Sequence, residues 1–153
     1  MTFRVDTSQL AAISAKLRHY SKVIKEEVAI EGAAAMAKVI YDEARIFAPV
    51  SEKAHVFYGR SSVRTGVKYT FQPGTLKAAI YRVYSKDRSD LNRKTYHVGW
   101  NHQKAPYGFM VEFGTSHAAA NPFMRPSLAR VPQAIQAAKG RMAVKLKEIT
   151  GGI

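Results

Sequence analysis

Five histidines are the first residues to test for chemistry. His97 and His102 lie five apart with no carboxylate between them, and neither an H-E-x-x-H motif nor any cysteine spacing accompanies them. His19 falls on a helical stretch, and His55 and His117 fall in expected loops. Surface or half-buried histidines account for all five, so no metal site and no cofactor is expected. Asp42 and Glu43 are adjacent on a helix and face different directions, while Asp87 and Asp90 share a polar turn. A two-carboxylate hydrolase needs paired, pocketed acids, and none can be assembled from these. Gly59 and Gly66 lack the following Lys-Ser pair of a phosphate loop, and no G-x-S-x-G occurs. No catalytic residue is assigned, and the chain is not expected to be an enzyme.

One acid stands apart. Glu112 sits among Phe109, Met110, Val111 and Phe113. A buried carboxylate needs a cation, because an unpaired buried charge is expensive. Arg125, thirteen positions on and flanked by Pro122 and Pro126, is the expected partner. The pair would fix the intervening loop, in which Ser116–Ala120 is small, polar to neutral and expected to be mobile. An exposed Glu112 at the end of an element is the other reading.

Charge is the strongest global signal. The chain has 153 residues, with 24 Lys and Arg against 11 Asp and Glu, a net charge of +13. Residues 51–105 hold eleven basic and three acidic groups and so carry most of the excess. Such a field attracts phosphate backbones or acidic protein surfaces. An apolar fraction of 46% argues against wholesale disorder. Cysteine is absent, which excludes disulfides and thiolate chemistry. No apolar run reaches membrane-spanning length and MTFRVDTSQ lacks a signal-peptide core, so a protein made in the cytoplasm, with no membrane contact, is expected.

The elements that must position these residues follow from periodicity. Asp6 and Gln9 have capping-box spacing. Leu10, Ile13, Leu17, Tyr20 and Ile24 recur at three- and four-residue steps, and the stripe continues through Val28, Ala35, Met36, Val39, Ile40 and Phe47. A break is expected near His19–Lys22, and Pro49 ends the run. His55–Tyr58 and Val67–Phe71 are β-rich runs, so residues 51–74 read as a basic hairpin or extended loop inserted into the domain. Its basic residues Arg60, Arg64 and Lys68 alternate with aromatics, which predicts one packed aromatic face and one solvated basic face used as a contact arm. Thr75 caps a short turn over Leu76–Ala79. Ile80–Tyr84 and Thr95–Trp100 flank the polar turn SKDRSDLNRK and predict antiparallel strands, forming one small sheet with the hairpin. Pro106–Phe113 reads as a short helix or strand. Leu128, Val131, Ile135, Ala138, Met142, Leu146 and Ile149 mark a C-terminal amphipathic helix, with Pro126 in its first turn and Pro132 kinking or restarting it. The fold class is therefore α+β, a single domain over residues 1–153.

Two ordered motifs add a resemblance. Tyr107-Gly108, Val111-Glu112-Phe113-Gly114-Thr115 and Pro122-Phe123-Met124-Arg125-Pro126-Ser127 resemble the signature of the tail-completion, or head–tail joining (neck), proteins of long-tailed phages, typified by the minor tail component of lambda-like phages. Gly108 and Ser127 stand where alanine is common in that pattern. Ala48-Pro49-Val50 and Gly74-Thr75-Leu76-Lys77-Ala78-Ala79-Ile80 are upstream echoes, and the resemblance spans roughly Leu10 to Leu128. It implies a structural virion protein at the head–tail junction: a homo-oligomeric ring of six that binds a connector or stopper protein on one side and the tail tube or tail terminator on the other. DNA would pass through the ring, touching Arg60, Arg64, Lys68, Arg88, Arg93 and Lys94 weakly and without sequence preference, unless these grip acidic partner surfaces instead. The alternative from charge alone is a small basic nucleic-acid-binding protein, or a ribonuclease using His97 or His102 with lysines.

Overall fold

The computed structural model describes residues 8–59 and 62–151. The fold is α+β, with a long N-terminal helix, two small antiparallel sheets and a C-terminal helix. Asp6 and Arg60 lie outside the described residues.

The first helix runs as α1 (Ser8–Val23), a single π-helical turn (Ile24–Val28) and α2 (Ala29–Phe47). The expected break at His19–Lys22 does not occur. The backbone there stays helical, and the irregularity comes at Ile24–Val28 instead, where the wider turn resets the phase of the apolar stripe. Beyond the reset, Val28, Ala37 and Ala44 are buried. Before it, Tyr20 and Ile24 remain exposed, so the stripe does not pack as core along its whole length. Ala48 is extended, ending the helix just before Pro49.

The hairpin forms. β1 (His55–Phe57) pairs antiparallel with β2 (Tyr69–Phe71), His55 opposite Phe71, with the short helix α3 (Ser62–Thr65) in the connection. His55 thus lies on a strand rather than in the expected loop. Gly74 takes a left-handed φ of 80° ahead of α4 (Thr75–Ala79). Thr75 does not cap that helix, since its hydroxyl donates to the Gln72 carbonyl oxygen. β3 (Ile80–Tyr84) pairs antiparallel with β4 (Tyr96–Trp100), Ile80 opposite Trp100. The four strands form two separate two-stranded sheets, not the single expected sheet. β3 and β4 pack on α2, whereas β1 and β2 are held by aromatic packing on Tyr107.

The chain then forms α5 (Gly108–Phe113), α6 (Met124–Ser127), a 3₁₀ turn (Leu128–Arg130) and α7 (Val131–Thr150). Pro126 sits in α6, and Pro132 restarts the chain as α7, where its missing N–H costs nothing. α7 lies along α2. Their close approach includes Gly32, where an added Cβ would stand 2.5 Å from Met142 Cγ. Arg141–Glu31 (3.0 Å) ties the two helices at the surface, and Arg130–Glu43 (2.9 Å) ties the 3₁₀ turn before α7 to α2. The core joins Ala44 of the first helix and Ala48 just after it, Leu76, Ala79 and Ile80, Ala105 and Phe123. None of the described helices is long and apolar enough to cross a membrane.

Candidate functional site

The signature residues converge on one carboxylate. Helix α5 turns Glu112 inward, where its side chain is 2% exposed. Its Oε2 accepts the backbone N–H of Phe123 (2.8 Å) and of Met124 (2.9 Å). Its Oε1 accepts the backbone N–H of Arg125 (3.0 Å) and the Arg125 Nε–H (3.1 Å). Arg125 Nη2 closes the fork by donating to the Glu112 carbonyl oxygen at 2.8 Å. The pair expected from sequence therefore forms, and the structure adds that backbone amides supply most of the donors. The first turn of α6 leaves its N–H groups without helical partners, and a carboxylate from another helix satisfies them. Burial pushes the Glu112 carboxyl up, but the amides of Met124, Phe123 and Arg125 and the Arg125 side chain outweigh it and hold the group below its ordinary value.

The rest of the signature surrounds this lock. Phe123 is fully buried and meets the Trp100 indole edge-on at 5.5 Å. Tyr107 packs among His55, Phe57 and Phe71, so the signature is what anchors the hairpin's aromatic face. The Arg125 guanidinium lies 4.9 Å from the centre of the Phe113 ring. Val111 packs against the core, and its carbonyl oxygen accepts the Asn121 N–H. Gly114 ends α5, and Thr115 Oγ1 accepts the N–H of His117 and Ala118 to turn the loop back. Pro122 precedes the buried Phe123 at the entry to α6.

Gly108 has its reason in Trp100. An added Cβ would stand 2.5 Å from the indole Nε1 and 2.7 Å from Cδ1. Gly108→Ala is expected to push the indole off Phe123 and destabilise the fold by about 1–3 kcal/mol. Trp100 is the sole tryptophan, so its emission reports the displacement directly. Unchanged emission and an unchanged unfolding midpoint would show that the indole has room to move.

The basic candidates divide into two groups. Arg64 and Lys68 are exposed on the hairpin, Lys68 over the Tyr58 ring at 5.7 Å. Arg88, Arg93 and Lys94 belong to the β3–β4 loop. That loop is well tied: Asp90 accepts the N–H of Asn92 and Arg93 at 2.8 Å each, Lys94 Nζ donates to the Asp90 carbonyl oxygen, and Thr95 bonds Ser89 and Arg88. The two amides, with Arg93 and Lys94 nearby, hold the exposed Asp90 carboxyl below its ordinary value. Arg93 and Lys94 meet Arg125 around a groove of about 620 Å³, and the hairpin cations do not line it. The groove was not legible in the sequence, because its walls come from three separate segments.

Among the described residues no three of His, Cys, Asp or Glu stand close enough to hold a metal ion. His97 is on β4 and His102 in the turn that follows it. Compared with family models, with curated proteins and with solved structures, the chain finds no match in any of the three.

Proposed function

We propose that this chain is a structural virion protein at the head–tail junction of a long-tailed phage or prophage particle. In this reading it forms a ring of six that joins the connector or stopper to the tail tube or terminator and surrounds the DNA path. The observation that carries the reading is the Glu112 lock. The two motifs behind the resemblance are bonded into one unit, and both carboxylate oxygens are spent on holding backbone. That is the economy of an assembly module rather than of a reacting centre, and no catalysis is proposed.

Surface character supports the same reading. Around the lock, Phe109 (60% exposed), Met110 and Phe113 are turned outward on α5, and Tyr20 and Ile24 are exposed on the first helix. Apolar surface of this kind marks contact faces. Arg64, Lys68, Arg88, Arg93 and Lys94 would meet DNA or acidic partner surfaces, as non-specific contacts that let DNA slide.

Electron-microscopic imaging of particles assembled with and without the chain tests the proposal. A ring at the junction that vanishes with the chain is expected. Normal tailed particles lacking the chain would overturn it.

A further inference from the structure

We infer that the groove between α2, β4 and the α6–α7 corner seats an acidic amphipathic segment of a partner protein. Its floor and walls are apolar: Met36 and Ile40 from α2, Tyr96 and Val98 from β4, Leu128 and Val131 from the corner. Ala33 and Ala37 leave the α2 side of the floor low. Leu128 is 58% exposed although it borders this surface, so an occupant would cover a large apolar side chain now left in water.

Charge identifies the occupant. Arg93, Lys94 and Arg125 all line the groove, and no Asp or Glu does. Two of the three cations are paired, Arg93 with Asp90 at 3.6 Å and Arg125 with Glu112 at 3.1 Å, but both arginine side chains remain more than half exposed, and Lys94 Nζ donates to a carbonyl oxygen, that of Asp90. The margin therefore still presents cationic groups to an occupant. An apolar floor under a cationic margin complements a segment with apolar residues on one face and carboxylates beside them. A second copy of this chain is a poor occupant of this groove, because with 11 Asp and Glu against 24 Lys and Arg it has little acidic surface to set against the cationic margin. Nucleic acid fits less well, because it would meet only the cationic margin and leave the apolar floor uncovered. The inference rests on the assembly reading only in taking the partner to be a protein.

The test is a titration of the isolated full chain against a labelled amphipathic helix of leucine and glutamate, read by fluorescence anisotropy. Its lysine counterpart and a scrambled leucine–glutamate sequence serve as controls. The amphipathic acidic peptide is expected to bind and both controls to bind weakly. Leu128→Ser and Lys94→Glu are each expected to weaken binding by about tenfold, the effect of one lost apolar or charged contact. Arg64→Glu, on the hairpin, should leave it unchanged. Leu128 is exposed, whereas Lys94 is half-buried with its Nζ on the Asp90 carbonyl oxygen, so Arg93→Glu, at an exposed side chain, provides a second charge reversal should Lys94→Glu disturb the loop. Absence of binding overturns the proposal. So does equal binding of the scrambled peptide, or equal loss in Arg64→Glu, since either reduces the effect to general charge attraction. Displacement of the peptide by phosphatidylglycerol vesicles would assign the groove to a lipid surface and overturn it as well. Because the titration uses the chain alone, its failure leaves the ring imaging standing, and particles without a ring leave the titration standing.

Discussion

Replacing Glu112 by alanine is expected to destabilise the fold by roughly 3–5 kcal/mol, the range for breaking a buried charged network from one side. The substitution strands the N–H groups of Phe123, Met124 and Arg125 at the start of α6, next to the fully buried Phe123. Each buried donor left without an acceptor costs about 1–3 kcal/mol, and partial access to water at Arg125 brings the sum down into that range. Arg125→Ala is expected to cost far less, about 1 kcal/mol. Its side chain is 57% exposed, and an ion pair with one solvated member is weakly stabilising. The unequal losses are the point: a lock made mainly by the salt bridge would give two similar numbers, whereas one made by backbone amides gives a large and a small one. Acid provides an independent check. The folded-state carboxyl is held below its usual value near 4.5, so its contribution is fully present above that pH and is lost as pH falls through the folded value. Urea unfolding from neutral to acid pH should therefore show the gap between the native chain and Glu112→Ala narrowing as acid is added. A gap that stays constant would mean that the carboxyl is not depressed by folding.

Sequence patterns reached this lock because its chemistry is local in kind. An acid inside an apolar run, and an arginine between prolines, narrow the choice of partners to one. What the pattern lacked was the backbone: amides carry no residue signature, so the larger share of the bonding to Glu112 was invisible. The same limit explains the other differences. The π turn at Ile24–Val28, sequence IKEEV, contains no glycine or proline to mark it, so the break was expected at the wrong place. Both strand pairings were legible from β-rich runs around polar turns, but nothing in those runs says whether two hairpins share a sheet. Tyr107 beneath the hairpin and Trp100 against Gly108 join residues far apart in sequence, and only the folded chain shows them together. The groove belongs to the same class. Arg93 and Lys94 were named as DNA or partner contacts and Arg125 as the partner of Glu112, while the apolar floor between them was spread over a helix, a strand and a corner.

Gly114→Ala is the second large effect, expected to cost about 3 kcal/mol or more. Gly114 ends α5 with φ 79° and ψ −179°, a region essentially reserved for glycine. The strain alone would cost about 1–3 kcal/mol in a residue with a side chain. Space makes it worse. The added Cβ would stand 2.8 Å from Ala120 N and 3.0 Å from Ala118 O, both backbone atoms of the loop that folds back over it. These atoms cannot rotate away as a side-chain tip can. The Thr115–Ala118 hydrogen bonds and the Asn121 bond to Val111 hold them, and Asn121 leads directly into the residues bonded to Glu112. Gly74→Ala gives the reference. Gly74 shares the positive φ, 80°, but with ψ −2° lies in the milder left-handed region, and no atom stands within 4 Å of an added Cβ, so it carries only that smaller conformational cost, about 1 kcal/mol. Thermal or urea unfolding of the two variants side by side should place Gly114→Ala well below Gly74→Ala. Equal losses would show that the loop yields to the methyl group, and that the geometry between the two signature motifs is set by the Glu112 bonds and not by the turn at Gly114.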